Sequence, residues 1–171
     1  MECNKELIEK LCSLEIFSDF SPENPEHVSI LEQVCSKLET MSFPKGSVII
    51  KEGDVGDCLH ILYEGTVQIK KNTLSADQFA VVNLCSEQNV FFGEVALIDK
   101  DTRSASVYAL TDCKTLCLDA EGFKEICDKN PLLGYHAMFR ISKKIASSLR
   151  RSNKDAMVLY QALISEVNGE D

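Results

Sequence analysis

The sequence predicts an α+β protein, mainly β: an antiparallel β jelly-roll barrel held between N-terminal helices and one long C-terminal helix. Three changes of hydrophobic period support this. Up to Leu38 the apolar residues recur at helical spacing. From Thr40 to Asp119 they alternate in short runs cut by glycine turns, and from Pro131 the helical period returns. These changes divide the chain into an N-terminal helical segment (1–39), a β-barrel (40–120) and C-terminal helices (121–171). A chain of 171 residues is long enough for one domain with a core of its own.

In the first segment Leu7, Ile8, Leu11, Leu14 and Phe17 line one face of a helix over 5–17. Ser18 to Glu23 breaks it, and a second helix from His27 to Leu38 carries Val28, Leu31, Val34, Cys35 and Leu38. His27 reads as an exposed residue at the start of that helix. The β region opens with a strand over Met41–Phe43, a turn at Pro44–Gly46 and a strand over Ser47–Lys51. Glu52–Asp57 is a tight connection whose glycines tolerate positive φ. Strands at Cys58–Tyr63, Thr66–Lys70 and Phe79–Leu84 follow, with a polar loop over 72–78. His60 interrupts an apolar run and reads as outward-facing or hydrogen-bonded. Val82 and Leu84 share a face suited to wall a ligand. Two more strands, Ser104–Leu110 and Cys113–Asp119, flank a turn at Thr111-Asp112, and Glu121–Cys127 forms a short helix.

In the last helix Met138, Ile141, Ile145, Leu149, Ala156, Leu159, Leu163 and Val167 fall on one arc. Arg140, Lys143, Lys144, Arg150, Arg151 and Lys154 fall on the opposite arc. Two readings follow: the helix packs on its own barrel with a solvated basic face, or its apolar arc is a seam for a homodimer.

Composition excludes several function classes. A net charge of −9 argues against broad affinity for nucleic acid. The eight cysteines are scattered with no C-x-x-C pair, so neither a metal site nor a disulfide framework is expected. Cys113 and Cys117 should face the same side of one strand. The opening MECNKELIEK has no apolar signal core and no stretch approaches a membrane span, which reads as a cytoplasmic protein with reduced thiols. His27, His60 and His136 are scattered, and no catalytic carboxylate pair or Ser/His/Asp set is evident, so no enzyme is expected.

The chemistry concentrates in Phe91–Ala109, FFGEVALIDKDTRSASVYA. Gly93 lets the backbone approach a ligand closely, and the short apolar run after Glu94 allows one helical turn whose first N–H groups lack partners. Arg103 offers a planar fork for a phosphate. Glu94 suits sugar hydroxyls, because a carboxylate repels the phosphate itself. Read without further context, Glu94 and Arg103 are equally an ion pair that fixes a loop.

The stretch resembles the phosphate-binding cassette of cyclic nucleotide-binding domains, F-G-E-L-A-L, a short variable loop, then R-x-A-x-V. Gly93, Glu94, Ala96, Leu97, Arg103, Ala105 and Val107 fit that pattern, and I-I-K-E-G-D-V-G-D with Gly65 beyond it is similar to the family's first half. The resemblance implies a short cassette helix whose amides join Arg103 at the cyclic phosphate, with Glu94 on the ribose 2′-hydroxyl. It places the ligand among Phe92, Gly93, Glu94, Val95, Ala96, Arg103, Ser104 and Ala105. Ser104 follows the arginine where either base is served. With no second guanine partner apparent, cyclic AMP (cAMP) is favoured and cyclic GMP (cGMP) is the alternative. Catabolite-activator-type receptors and kinase regulatory subunits share this domain. The residues after Arg151 leave no room for a recognition helix, so direct contact with nucleic acid is not expected. The chain reads as a stand-alone sensor that signals through its last helix, the family's lid, to a second copy or an effector protein of unknown identity. The alternatives are a nucleotide-free interaction module, or a regulator of the catabolite-activator type without a DNA-binding domain.

Overall fold

The computed structural model describes residues 3–72, 78–99 and 102–168. Helices α1 (Lys5–Ser13) and α2 (Pro25–Lys37) come first. Strands β1 (Glu39–Phe43), β2 (Val48–Ile50), β3 (Cys58–Glu64), β4 (Thr66–Asn72), β5 (Gln78–Cys85), β6 (Phe91–Phe92), β7 (Ser106–Ala109) and β8 (Cys113–Asp119) follow. Helices α3 (Ala120–Lys129) and α4 (Pro131–Asn168) end the described chain. The polar loop expected at 72–78 falls largely outside the described residues.

The strands pair antiparallel in two four-stranded sheets, ordered β1-β8-β3-β6 and β2-β7-β4-β5. This is jelly-roll order, but the expected barrel is corrected to a sandwich of two open sheets. The edge strands β6 and β2 have two and three residues, too few backbone groups to carry a hydrogen-bond ladder across the gap. Strands on either side of a turn also part company. β7 joins β2 and β4, whereas β8 joins β1 and β3.

The first sheet is covered on both faces, and its alternation shows how. Leu59, Ile61, Leu116, Leu118 and Phe91 point into a core shared with α1, α2, α3 and the start of α4. The alternate residues, including Leu62, Phe92 and Cys113, point between the sheets toward Ile50, Val67 and Val107. His60 belongs to this inner face and is 3% exposed, so it is not outward-facing; its Nδ1 lies 3.1 Å from Thr115 Oγ1. Cys113 and Cys117 do share one side of β8, as alternation requires.

The first helix is shorter than its apolar period. It stops at Ser13, Leu14 turns extended, and a 3₁₀ turn over Glu15–Phe17 buries Ile16 and Phe17 fully. α2 begins before His27: the Asn24 side chain caps Glu26 and His27, and Pro25 takes the first position. His27 is half-buried, its Nδ1 accepting the Ser21 N–H at 3.0 Å.

α4 divides into two parts. Leu133, Ala137 and Ile141 are buried, while every side chain described from residue 147 onward is exposed. The basic arc is not uniformly solvated. Arg140 grips Asp19 with two bonds of 2.7 and 2.8 Å, and Lys144 turns back onto β6. Among the described residues no helix is long and apolar enough to cross a membrane.

Candidate functional site

The sequence of the β6 region builds a short arch. Phe91 and Phe92 point to opposite cores and anchor the strand, which pairs with β3 at His60 and Ile61. Gly93 then takes φ 78°, a left-handed conformation that a side chain rarely adopts, and caps the 3₁₀ turn Glu94–Leu97. Ala96 and Leu97 are buried under this turn, Val95 is exposed and Glu94 half-buried. The cassette helix expected from the resemblance is thus a single 3₁₀ turn.

Arg103 is brought to the arch by a second connection. Its N–H donates to Asp54 O at 2.8 Å, its carbonyl accepts from Gly53 N at 2.9 Å, and Thr102 bridges Val55. The tight Glu52–Asp57 connection therefore serves as the rail that positions the arginine. The guanidinium is part-buried: Nη1 donates to Gly93 O at 3.1 Å and Nη2 to Cys58 O at 2.8 Å. It lies against Gly56, where an added Cβ would sit 1.9 Å from Arg103 Nε, and against Gly93, where a Cβ would sit 2.6 Å from Nη1. Neither neighbour tolerates a side chain while the arginine stays in place.

Glu94 does not face Arg103 as an ion pair. Its Oε1 lies 3.1 Å from Lys144 Nζ on α4, and the Glu94 side chain is only 14% exposed. Lys144 also donates to Phe91 O at 3.2 Å and stands 4.0 Å over the Phe91 ring. Sequence reading missed this lysine because helical period says which face it occupies, not what that face meets. Ser104 is exposed and Ala105 half-buried. Ser106 is buried, and its hydroxyl accepts the Glu52 N–H at 3.0 Å, tying the connection to β7. Val82 is 42% exposed, and Leu84 packs at the edge of the inner core.

Two cavities flank the cassette. One of about 250 Å³ opens beside Arg103 and is lined by Ile50, Asp54, Gly56, Cys58 and His60. The other, about 580 Å³, separates Ala96, Leu97 and Ile98 from Phe123 on α3 and Met138 on α4.

Next to the arginine, Cys58, His60 and Cys117 converge with their ligand atoms within 4.8 Å of one another. These residues are scattered in the sequence, and the fold brings them together. Strands β3 and β8 pair directly, which brings residues far apart in sequence together. Donation by the Cys117 thiol, then His60 and the Arg103 guanidinium, hold the Cys58 thiol well below the usual thiol range against its burial. The same shared proton, with burial, pushes Cys117 up.

The profile of the cyclic nucleotide-binding domain family matches residues 40–130, just over half of the chain. The chain is 34% identical over 94 residues to a cAMP-dependent protein kinase regulatory subunit of Aspergillus niger, covering 55% of this chain and 22% of that protein. It is 34% identical over 96 residues to human cGMP-dependent protein kinase 2, covering 56% of this chain and 12% of the kinase. The chain thus spans less than a quarter of the length of these relatives. Among solved structures, the regulatory domain of Toxoplasma gondii PKA with cAMP superposes with a TM-score of 0.68 at 26% identity, covering 84% of this chain and 50% of that one. Cassette pattern, sandwich topology and profile agree: the chain belongs to the cyclic nucleotide-binding domain family.

Proposed function

We propose that this chain is a cyclic nucleotide sensor that binds cAMP in preference to cGMP and carries out no chemistry on it. Arg103 takes the cyclic phosphate with the amides of the 3₁₀ turn, and Glu94 takes the ribose 2′-hydroxyl. Phe92, Gly93, Val95, Ala96, Ser104 and Ala105 shape the site around them. The observation that carries this reading is the placing of Glu94 and Arg103 on either side of Gly93, with Arg103 Nη1 on the Gly93 carbonyl. The base preference draws support from the cAMP-bound Toxoplasma relative; equal identity to cAMP- and cGMP-named kinases does not separate the two.

The readout is α4. A ribose hydroxyl and Lys144 compete for the Glu94 carboxylate, so nucleotide loosens the Lys144 contact, and the gap beside Met138 gives the helix room to shift. A ligand moves such an equilibrium only by its differential affinity for the two positions. The exposed apolar residues Leu149, Leu159 and Leu163 then offer a face to a second copy or an effector.

A second reading, a nucleotide-free interaction module, draws on one observation: Arg103 and Glu94 both have protein partners already. Calorimetry with cAMP, cGMP and 2′-deoxy cAMP separates the two readings. We expect saturable binding of cAMP, weaker cGMP and much weaker 2′-deoxy cAMP, since a site built to bond a hydroxyl is left unpaired by the analogue. No heat with any nucleotide would establish the module instead.

A further inference from the structure

The inner face of the first sheet carries a row that the nucleotide reading does not use. His60 on β3 stands opposite Cys117 on β8, and Cys117 stands opposite Glu39 on β1. Cys58 lies two residues before His60 on the same face of β3. Cys58 Sγ is 3.4 Å from His60 Nε2, and all three ligand atoms lie within 4.8 Å. A tetrahedral ion with bonds of about 2.3 Å to sulfur and 2.0–2.1 Å to nitrogen needs an S···N edge of roughly 3.5 Å. The observed edge already has that length.

The surroundings hold the imidazole in place. His60 Nδ1 lies 3.1 Å from the hydroxyl of Thr115, which is fully buried. On ion binding, with the Nδ1 proton given to that oxygen, Nε2 gives up its donation to Cys58 and turns its lone pair to the ion, the arrangement that outer-shell partners impose on metal-binding histidines. The ring also stacks on Phe92 at 5.5 Å and 16° and meets the edge of Phe43. The cavity beside Arg103 is lined by both Cys58 and His60, which supplies a path for an ion and space for a fourth ligand.

We propose that Cys58, His60 and Cys117 form a binding site for a zinc-class divalent ion, its fourth position taken by water. Two thiolates and an imidazole suit a borderline-soft ion and disfavour magnesium and calcium, which demand oxygen ligands. Binding takes up one dication and releases the protons still on the two thiols, leaving the cluster neutral. Arg103 Nη2, 3.6 Å from Cys58 Sγ, then donates to a metal-bound thiolate. The ion thereby fixes the same guanidinium that the nucleotide reading places at the phosphate, although the metal site stands independently of that reading.

The test uses the full chain, reduced with a non-thiol reductant and stripped of metal. Titration with Co²⁺ should give one equivalent per chain, with the thiolate-to-cobalt charge-transfer and strong d–d bands of a tetrahedral site, and Zn²⁺ should displace it. Cys58→Ser, Cys117→Ser and His60→Gln should each weaken binding at least tenfold, whereas Cys12→Ser and Cys127→Ser should not. Should a site variant fail to fold, alkylation of the wild type decides, because Zn²⁺ should slow the labelling of Cys58 and Cys117 alone, read by peptide mass spectrometry. The proposal is overturned by a wild type without a saturable cobalt spectrum, by a spectrum that survives the Cys58→Ser/Cys117→Ser double variant, or by labelling of both cysteines that ignores zinc. A Cys58–Cys117 disulfide that survives the reductant overturns it as well.

Discussion

Lys144 Nζ lies 3.1 Å from Glu94 Oε1, so the first ordered turn of the cassette is tied directly to the last helix of the fold. One carboxylate thus stands between two partners, a lysine on α4 and, in our reading, a ribose hydroxyl. Removing the lysine should free the carboxylate. We expect Lys144→Gln to tighten cAMP binding several-fold, in line with about 1 kcal/mol for a partly exposed pair. It should also raise amide exchange across Tyr135–Leu163 before any ligand is added. Calorimetry with exchange mass spectrometry checks both; weaker binding would show that Lys144 supports the ligand rather than competing with it.

Arg103→Ala should abolish measurable nucleotide binding, and Arg103→Lys should bind poorly for want of the fork. The fold will not be untouched. The guanidinium bonds the Gly93 and Cys58 carbonyls, so its loss should cost roughly 1–3 kcal/mol of stability. A melting curve beside the binding isotherm separates the two effects. Near-wild-type affinity in either variant would remove Arg103 from the site.

Gly56→Ala tests the same arginine from outside. The backbone there permits alanine, yet its Cβ would fall 1.9 Å from Arg103 Nε, so the flexible side chain must move away. We expect nucleotide affinity to drop about tenfold or more, roughly 1.4 kcal/mol, with a smaller change in melting temperature. Equal affinity would mean that the guanidinium position is irrelevant to binding.

The docking of α4 should depend on acid. Hydrogen bonds from Arg140, with the charges of Arg140 and His136, hold the Asp19 carboxyl below the usual range. A depressed folded value stabilises above the unfolded value of about 3.9 and is lost as pH falls through the folded one. Asp19→Asn should therefore lower the melting temperature at neutral pH, and the gap to wild type should close below about pH 4. A gap that persists in acid would assign the effect to packing rather than charge.

Contact between copies is checked by sedimentation. Ile145→Asp, on the arc that leaves the body of the protein, should weaken any self-association while nucleotide binding stays. Ile145 is 37% exposed and lies just before the stretch with no buried side chain. A monomer at all concentrations, with and without cAMP, would leave α4 to an effector alone.

The sequence by itself determined what depends on neighbours in the chain. The change from helical to alternating period marked α1 to α4 and every strand but the two-residue β6, and the left-handed Gly93, Glu94 and Arg103 fall within one short stretch whose spacing survives folding. Boundaries shifted where a local signal competed with packing, as at Leu14, which leaves the helix to bury itself. Tertiary structure decided which face meets which. Period reports that a face is buried but not what covers it, so the open sandwich, the Lys144–Glu94 contact and the Asp19–Arg140 grip were not legible. Cys117 shows the limit most plainly: far along the chain from Cys58 and His60, it becomes their neighbour because β3 and β8 pair in one register, and a slip of one residue would turn it to the opposite face.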